Sequence, residues 1–306
     1  MPEDIVYSRE AHPNGVLIEE AICSITNSHA VVYSGVSAFV AAVTLLNPKK
    51  LFMGQDYHGC RGYSNSLIQG DLVHIETPVN PNSWCTDIQY YADKPHQKGA
   101  KHMMDSNFGP LQDPFEFGTN IVMHSATNHF GGHSVLLAGL LLTKDQKAKN
   151  DLKIDIICLG TNIGNLEASL LYRSLKTFEL RVKKQSENAT ALVNFLVEKE
   201  SKFPELQAIH YSSLEKEEFV EKQLKGIHSL TFSINLKSEQ AARLLSSKLK
   251  YFTHATSLGG VESLIEWRRI ISVRLEQIED LIEDLNQALS LVWRTQGHEV
   301  FSSRST

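Results

Sequence analysis

The chain has 306 residues, of which 42% are hydrophobic and 21% are charged, and its formal net charge is -5. This length is enough for one large domain or two ordinary ones, with a core that needs no disulfide or metal staples. The acidic balance and the lack of a long basic block disfavour nucleic acid or an anionic membrane surface as the main partner.

The four cysteines form no CxxC pair and no short framework, which predicts reduced thiols in an intracellular protein. The first ten residues are acidic and polar, so they do not resemble a secretory signal. No apolar run reaches the length of a membrane span. We therefore expect a cytoplasmic protein without membrane contact.

Short apolar runs alternate with helical patterns over the first two thirds of the chain. Helical patterns follow the first run and occupy 87–97, and the runs that predict strands are 29–33, 51–53, 72–75, 102–104, 120–124 and 136–142. This alternation is typical of βαβ units around a mostly parallel sheet. In such a sheet, functional residues lie at the carboxyl ends of the strands.

The longest helical pattern covers residues 163–200, and the texture of the sequence changes after it. Residues 229–236 alternate apolar and polar side chains, as in a half-solvated strand. A helix over 238–249, strands over 251–256 and 269–273, and a helix over 276–292 complete an α+β unit. We place a boundary near residue 180, which gives a large domain over 1–180 and a smaller C-terminal domain over 181–306.

Three features at predicted strand ends are candidate site residues. Ser34-Gly35 joins a strand to a helix, where free backbone N–H groups bind anions, although a glycine there also serves simple turn geometry. Asp105 and Glu76 each follow an apolar strand, but an acid at that position is more often a turn or cap residue. None of these signals is specific by itself.

His124, His129 and His133 raise the possibility of a metal site. Two glycines separate the last two histidines, which argues against one helix presenting both, and no nearby carboxylate completes a familiar ligand set. Polar loop histidines are the simpler interpretation. Ser34 and Ser125 lack the surroundings of a nucleophile elbow, so a hydrolase is not predicted.

Taken together, eight short segments occur in one order that resembles the trans-sulfuration (Cys/Met metabolism) family of pyridoxal phosphate (PLP) enzymes, which includes cystathionine synthases and lyases and methionine γ-lyase. The segments are Tyr7-Ser8-Arg9, Tyr33-Ser34-Gly35, Tyr57-His58-Gly59, Glu76-Thr77-Pro78-Val79-Asn80-Pro81, Asp105-Ser106-Asn107-Phe108, His124-Ser125-Ala126-Thr127 with Gly131-Gly132-His133-Ser134, Arg173-Ser174-Leu175-Lys176-Thr177, and Ser257-Leu258-Gly259-Gly260-Val261-Glu262-Ser263-Leu264. The resemblance implies the PLP-dependent fold type I, like that of aspartate aminotransferase, and a homo-oligomer that acts on sulfur amino acids.

The resemblance also implies roles for individual residues. The ring of the cofactor is contacted by three residues: Tyr57 stacks on it, Asp105 pairs with its nitrogen and Asn80 lies near its hydroxyl. Ser257 helps to hold the substrate carboxylate. The cofactor phosphate is bound by Gly35, Val36, Ser125 and Thr127, together with Tyr7 and Arg9 of the neighbouring subunit.

The chain departs from the family pattern at Asn128. The family has a lysine here, which forms the Schiff base with PLP and then moves protons. A carboxamide is neutral and not nucleophilic, so it can form no such bond and is a poor base. We therefore expect PLP, if it binds, to bind non-covalently, and Tyr57 becomes the candidate base.

Other departures concern missing segments and the substrate side. A βα stretch is missing between residues 66 and 71, which we expect to leave neighbouring strands unpaired, and a further segment is missing near 268–270. The family's carboxylate-binding arginine falls on Ile270, and a family glycine becomes Arg274. The chain also starts without the arm that clasps the neighbouring subunit, which weakens the expectation of an oligomer.

Two hypotheses about function follow from these departures. The first is a trans-sulfuration enzyme that breaks or exchanges C–S bonds in cystathionine-like substrates with impaired activity. The second is a non-catalytic degenerate paralogue that binds PLP weakly or pairs with an intact family member. An error in the gene model explains the missing segments, but it does not readily explain Asn128, which lies inside a good match.

Overall fold

The computed structural model describes residues 7–54, 66–266 and 270–302. Tyr57 and residues 267–269 therefore lie outside the described part of the chain. Two sheets organise this part. Among its helices, none combines the length and the apolar character that crossing a bilayer requires.

The first sheet has six strands in the order β1-β6-β5-β4-β3-β2. Its strands are β1 (His29–Tyr33), β2 (Leu51–Gly54), β3 (Leu72–Glu76), β4 (Lys101–Asp105), β5 (Ile121–Ser125) and β6 (Gly139–Thr143). Strands β2 to β5 run parallel, whereas β6 is antiparallel to both β1 and β5. The mostly parallel sheet expected from the alternating pattern is thus confirmed.

Helices cover this sheet and then lead to the second one. They are α1 (Pro13–Thr26), α2 (Ser37–Leu46), α3 (Ile88–His96), α4 (Gln146–Leu159), α5 (Asn165–Leu175) and α6 (Phe178–Glu198). The second sheet has the order β7-β8-β11-β10-β9. It is formed by β7 (Leu206–His210), β8 (Thr231–Leu236), β9 (Thr253–His254), β10 (Leu264–Glu266) and β11 (Ile270–Ser272). Helices α8 (Glu239–Lys248) and α9 (Ile278–Ser302) share its core, whereas α7 (Glu218–Leu224) forms a small apolar cluster with Cys85. We call these elements the C-terminal unit, and those up to α5 the N-terminal unit.

The carboxyl ends of β1, β3, β4 and β5 meet at one edge of the first sheet. Because β6 runs in the opposite direction, it begins at this edge, where Gly139 is paired with both Tyr33 and Ser125. In the neighbouring pair of strands, Glu76 lies beside Asp105. This edge therefore brings together the strand ends at or next to Gly35, Asp105 and Ser125, three of the residues that the motifs predict for the site.

Helix α6 is shared by two hydrophobic cores. Phe178 and Val182 belong to the core around the first sheet, whereas Ala189, Leu192 and Leu196 belong to the core of the C-terminal unit. The units are also joined by Gln223, whose side chain donates to Thr86 O over 3.0 Å and accepts from Ile88 N over 2.9 Å. A division near residue 180 stays a prediction.

Three sequence predictions about elements are wrong. The pattern over 163–200 is two helices, because α5 ends before Thr177 and α6 starts after it. The strand predicted for 136–142 begins only at Gly139. The shortening near 66–71 leaves no gap in the ladder, because β2 pairs directly with β3, with Leu51 opposite Leu72.

Candidate cofactor site

The turn from β1 into α2 exposes backbone donors at a helix N-terminus. Gly35 has a φ of 57°, and Val36 is the N-cap residue of α2. Within the described residues, neither Gly35 N–H nor Val36 N–H donates to a protein acceptor. Two free donors at the positive end of a helix dipole favour an anion.

Gly139 holds this turn against β6. A Cβ atom added at Gly139 lies 2.1 Å from Gly35 O, a separation that no real pair of atoms adopts without a backbone shift. The turn is therefore built on a backbone contact that only glycine permits. The motifs did not single out Gly139, because its role depends on a residue more than a hundred positions away.

Two hydroxyl groups predicted to bind phosphate have different surroundings. Ser125 ends β5 and pairs with Gly139, and no described protein group hydrogen-bonds to its hydroxyl. Thr127 Oγ1 donates to Ala138 O over 3.2 Å and accepts from Ala138 N over 2.9 Å. Ser125 therefore has its donor available, whereas the Thr127 hydroxyl proton already has a protein acceptor.

Asp105 and Glu76 form a carboxyl pair at the ends of β4 and β3. Burial raises the pKa of Asp105 to about 6, although a hydrogen bond from Asn107 N (2.9 Å) opposes this change. Burial, and then the charge of Asp105, raise the pKa of Glu76 to about 8, against a hydrogen bond from Asn80 N–H. At neutral pH, Glu76 therefore holds a proton and Asp105 is ionised.

Asn128 has a partner for each half of its carboxamide. Its Oδ1 accepts from Asn107 Nδ2 over 3.1 Å, and its Nδ2 donates to Leu258 O over 3.0 Å. The side chain thus joins the loop after Asp105 to a loop of the C-terminal unit. The sequence identified Asn128 as a loss of chemistry, but it gave no sign of these two partners.

A small cavity of about 80 Å³ lies where the N-terminal unit meets the C-terminal unit. Asn80 and Ser257, two of the predicted site residues, both line it. Ile270 and Ser272 of β11 also line it, and among the described lining residues there is no lysine or arginine. The described wall therefore contains hydroxyl and amide groups and the carboxyl group of Glu266, but no cation for a carboxylate.

Arg274 does not line this cavity. Its side chain is completely buried, and its Nη1 donates to Val273 O over 3.2 Å. Burial lowers its pKa to about 9, against the charge of Glu276. Arg274 therefore supplies no cation to this cavity.

The remaining predicted residues are only partly placed. Tyr7 and Arg9 contact each other, with the guanidinium 5.1 Å from the ring centre. Between them, Ser8 O accepts from Asn162 Nδ2 over 2.7 Å, and Asn162 forms a β-bridge with Tyr33. Among the described residues, no hydrogen bond joins Tyr7 or Arg9 to the Gly35 turn. Tyr57 lies outside the described residues.

The three histidines of the 124–133 segment have different surroundings in the described structure. No cluster of possible ligands occurs in residues 7–54, 66–266 and 270–302. His124 and His129 are buried, and burial lowers the pKa of His124 to about 3 and that of His129 well below its usual value. His133 Nδ1 instead lies 2.9 Å from Gly131 O. Both buried rings are thus neutral core side chains.

The donor set fits two parts of PLP and does not fit a third. The N–H groups of Gly35 and Val36 with the Ser125 hydroxyl suit a phosphate, and an ionised Asp105 suits a protonated ring nitrogen. Asn128 offers no atom for a covalent bond to the cofactor. This constellation at the strand ends of a mostly parallel sheet, next to a smaller α+β unit, defines a PLP-binding protein of fold type I.

Comparison with known proteins identifies the family. Residues 64–270 match the model of the Cys/Met metabolism PLP-dependent enzymes. The chain is 29% identical to cystathionine gamma-lyase of Dictyostelium discoideum, over 92% of this chain and 86% of that protein, and 31% identical to cystathionine beta-lyase of Lactococcus lactis, over 94% and 89%. The crystal structure of metB from Corynebacterium glutamicum matches with a TM-score of 0.87 at 25% identity, over 95% and 88% of the two chains.

The chain therefore belongs to the Cys/Met metabolism PLP-dependent enzyme family, and the resemblance and the fold type predicted from its motifs are confirmed. PLP is the cofactor of this family. The alignment with the Dictyostelium protein spans 338 positions, more than the 306 residues of this chain, as expected for a shortened member.

Proposed function

We propose that this trans-sulfuration family protein binds PLP without a covalent bond and carries out C–S elimination or replacement on cystathionine-like substrates only weakly. Cystathionine lyases are among its relatives, which supports a sulfur amino acid as the substrate. A cytoplasmic location fits this metabolic role.

The observation that carries the proposal is the state of Asn128. The motif pattern places it where the family has its lysine, and both halves of its carboxamide are engaged by Asn107 and Leu258. A neutral amide neither forms an imine nor removes a proton at neutral pH. Loss of a positioned acid–base group alone lowers a rate by roughly 10²- to 10⁴-fold.

The retained residues support cofactor binding in this proposal. Gly35 N–H, Val36 N–H and the Ser125 hydroxyl donate to the phosphate, while the carboxylate of Asp105 accepts from the ring nitrogen. Because Glu76 is protonated, no second negative charge lies beside Asp105, and Asp105 is the only anion of the pair. When bound, PLP supplies an electron sink for the substrate carbanion.

The substrate side supports weak turnover. Ser257 and Asn80 offer hydrogen bonds to a substrate carboxylate in the 80 Å³ cavity, but Ile270 adds an apolar wall where the family pattern expects an arginine. A hydrogen bond to a neutral donor is worth less than one to a guanidinium. Tyr57 lies outside the described residues, so its role as the base stays a prediction.

The proposal is tested by reconstituting the purified protein with PLP, reducing it with borohydride and weighing it by mass spectrometry. We expect a reversible absorbance change on adding PLP, no covalent adduct, and traces of ketoacid or thiol from L-cystathionine. Asn128→Lys is the matched variant and should gain one cofactor mass. An adduct at another lysine of the native chain would refute non-covalent binding, and the absence of any PLP binding would refute the proposal altogether.

A second candidate function, pairing with another copy or with an intact family member, is favoured by the surface beside the Gly35 turn. Val36 is 80% exposed and Leu137, which packs against Gly35, is 60% exposed. Contiguous exposed apolar surface marks interaction sites, and this exposed apolar pair is what supports the candidate function. Light scattering of the protein alone and mixed with an intact relative tests this, and a monomer in both samples would exclude it.

A further inference from the structure

We propose that Asn128 is a positioning residue, whose carboxamide ties the loop after Asp105 to the Ser257 loop of the C-terminal unit and holds the two sides of the site together. This bridge goes beyond the proposed function, because it exists whether or not PLP binds.

The bridge is a continuous series of hydrogen bonds. Asn107 N donates to Asp105 Oδ1 over 2.9 Å, and the side chain of the same asparagine donates to Asn128 Oδ1 over 3.1 Å. Asn128 Nδ2 then donates to Leu258 O over 3.0 Å. Leu258 follows Ser257, and both line the cavity between the units. The series thus connects the acid at the end of β4 to the far wall of the cavity.

The backbone of the Ser257 loop also approaches the backbone of Asn128 closely. Gly259 has a φ of 79°, and a Cβ atom added there lies 2.1 Å from Asn128 C and 2.4 Å from Asn128 Cα. Gln185 on α6 donates to Gly260 O over 3.1 Å. The loop is therefore fixed at three successive residues, and Asn128 supplies the contacts at two of them.

A carboxamide is the side chain that this position requires. Asn107 presents a donor and Leu258 presents an acceptor, so the residue between them must accept on one side and donate on the other. Lysine has donors only, and an ionised aspartate has acceptors only. Asn128 therefore gains a structural role from the same substitution that removes the family's chemistry.

An isosteric variant separates this role from general packing. In Asn128→Asp the shape is kept, but the ionised carboxylate faces Leu258 O without a donor. On protonation the carboxyl group again donates to Leu258 O and accepts from Asn107. The bridge should therefore weaken at high pH and return at low pH, a profile that a purely steric role does not produce.

The measurement is hydrogen–deuterium exchange of the peptide over 253–263, with β8 as internal control. Amides in this peptide are bonded, for example Thr253 N to Ser263 O (2.9 Å) and Ser263 N to Glu276 Oε1 (2.6 Å), so opening of the loop exposes them. For Asn128→Ala we expect about 2- to 10-fold faster exchange in this peptide and no change in β8, since a neutral hydrogen bond contributes that factor.

Asn128→Asp should exchange faster than the native chain at pH 8, and the difference should shrink below about pH 4, where an aspartate carboxyl takes up its proton. Asp105 and Glu76 also titrate above this pH, so each variant is compared with the native chain at the same pH. The same variants are measured without PLP, so failure of cofactor binding leaves this test intact. Equal acceleration of both peptides, or a pH-independent difference in Asn128→Asp, would overturn the bridge. Unchanged exchange in Asn128→Ala would overturn it as well.

Discussion

The two sides of the candidate site differ in which groups suited to cofactor or substrate binding they retain. On the side of the first sheet, the Gly35 turn, Ser125 and Asp105 form a donor and acceptor set that suits a phosphate and a protonated ring. On the side of the C-terminal unit, Ile270 lines the cavity, and Leu258 O accepts a hydrogen bond from Asn128 of the first side. Binding of a cofactor and chemistry on a substrate depend on different sides, so one can persist when the other is lost.

The largest expected effect concerns the backbone contact on the first side. Gly139→Ala forces a Cβ atom against Gly35 O, so we expect a loss of about 3 kcal/mol or more in the free energy of unfolding, as in an overpacked core. The matched control is Gly160→Ala. Gly160 has a φ of 67° with nothing within 4 Å of the added atom, and its cost should be about 1 kcal/mol.

Urea unfolding of both variants measures this difference. Equal costs at the two positions would show that the turn tolerates displacement from β6, and the donors of the first side would then not be rigidly placed.

A smaller effect should appear in the pH dependence of stability. Glu76 ionises near 4.5 in the unfolded chain and near 8 in the folded one, so the folded state holds the extra proton between these values. Stability contributed by this group is thus lost as the pH rises through that window. Glu76→Gln removes this pH-dependent loss of stability. Its free energy of unfolding should therefore exceed that of the native chain by on the order of 2 kcal/mol between about pH 5 and pH 8.

Unfolding free energies over this pH range test the prediction, with Glu179→Gln, in an exposed ion pair, as control. If the curves of Glu76→Gln and the native chain stay parallel, Glu76 is ionised at neutral pH and competes with Asp105 for a cation.

The smallest effect separates binding from stability. Ser125→Ala removes an unshared hydroxyl from the first side, so the dissociation constant for PLP should rise about 10-fold with little change in unfolding. Ser246→Ala in α8, whose hydroxyl donates to Arg243 O, is the control and should leave PLP affinity unchanged. Titration by fluorescence measures both, and equal affinities would remove Ser125 from the phosphate site.

The sequence predicted most strands of the first sheet well because they are short, apolar and locally bounded, whereas β7 and β10 of the C-terminal unit were not predicted. The strands that end at Tyr33, Glu76, Asp105 and Ser125 lie within a residue or so of their predicted limits. Helix α4 was missed, although Asp145 caps its start and Gly160 follows its end. Both residues are signals for the ends of a helix, but the apolar spacing between them does not indicate one.

Other features depend on contacts between distant residues. The break between α5 and α6 falls where Ser174 O accepts from the buried guanidinium of Arg181, and apolar spacing does not reveal such a bond. Arg181 also donates to His129 O. The partners of Asn128 are equally remote, since Leu258 lies 130 residues away. Local patterns identified the site residues, but not what fixes them.

Helix α6 has a consequence for how the chain melts. Its 21 residues span roughly 30 Å, with one end buried in the first core and the other in the second. Neither core can lose its packing without exposing apolar side chains of the same helix. Calorimetry should therefore record a single cooperative transition, with the two cores behaving as one thermodynamic unit.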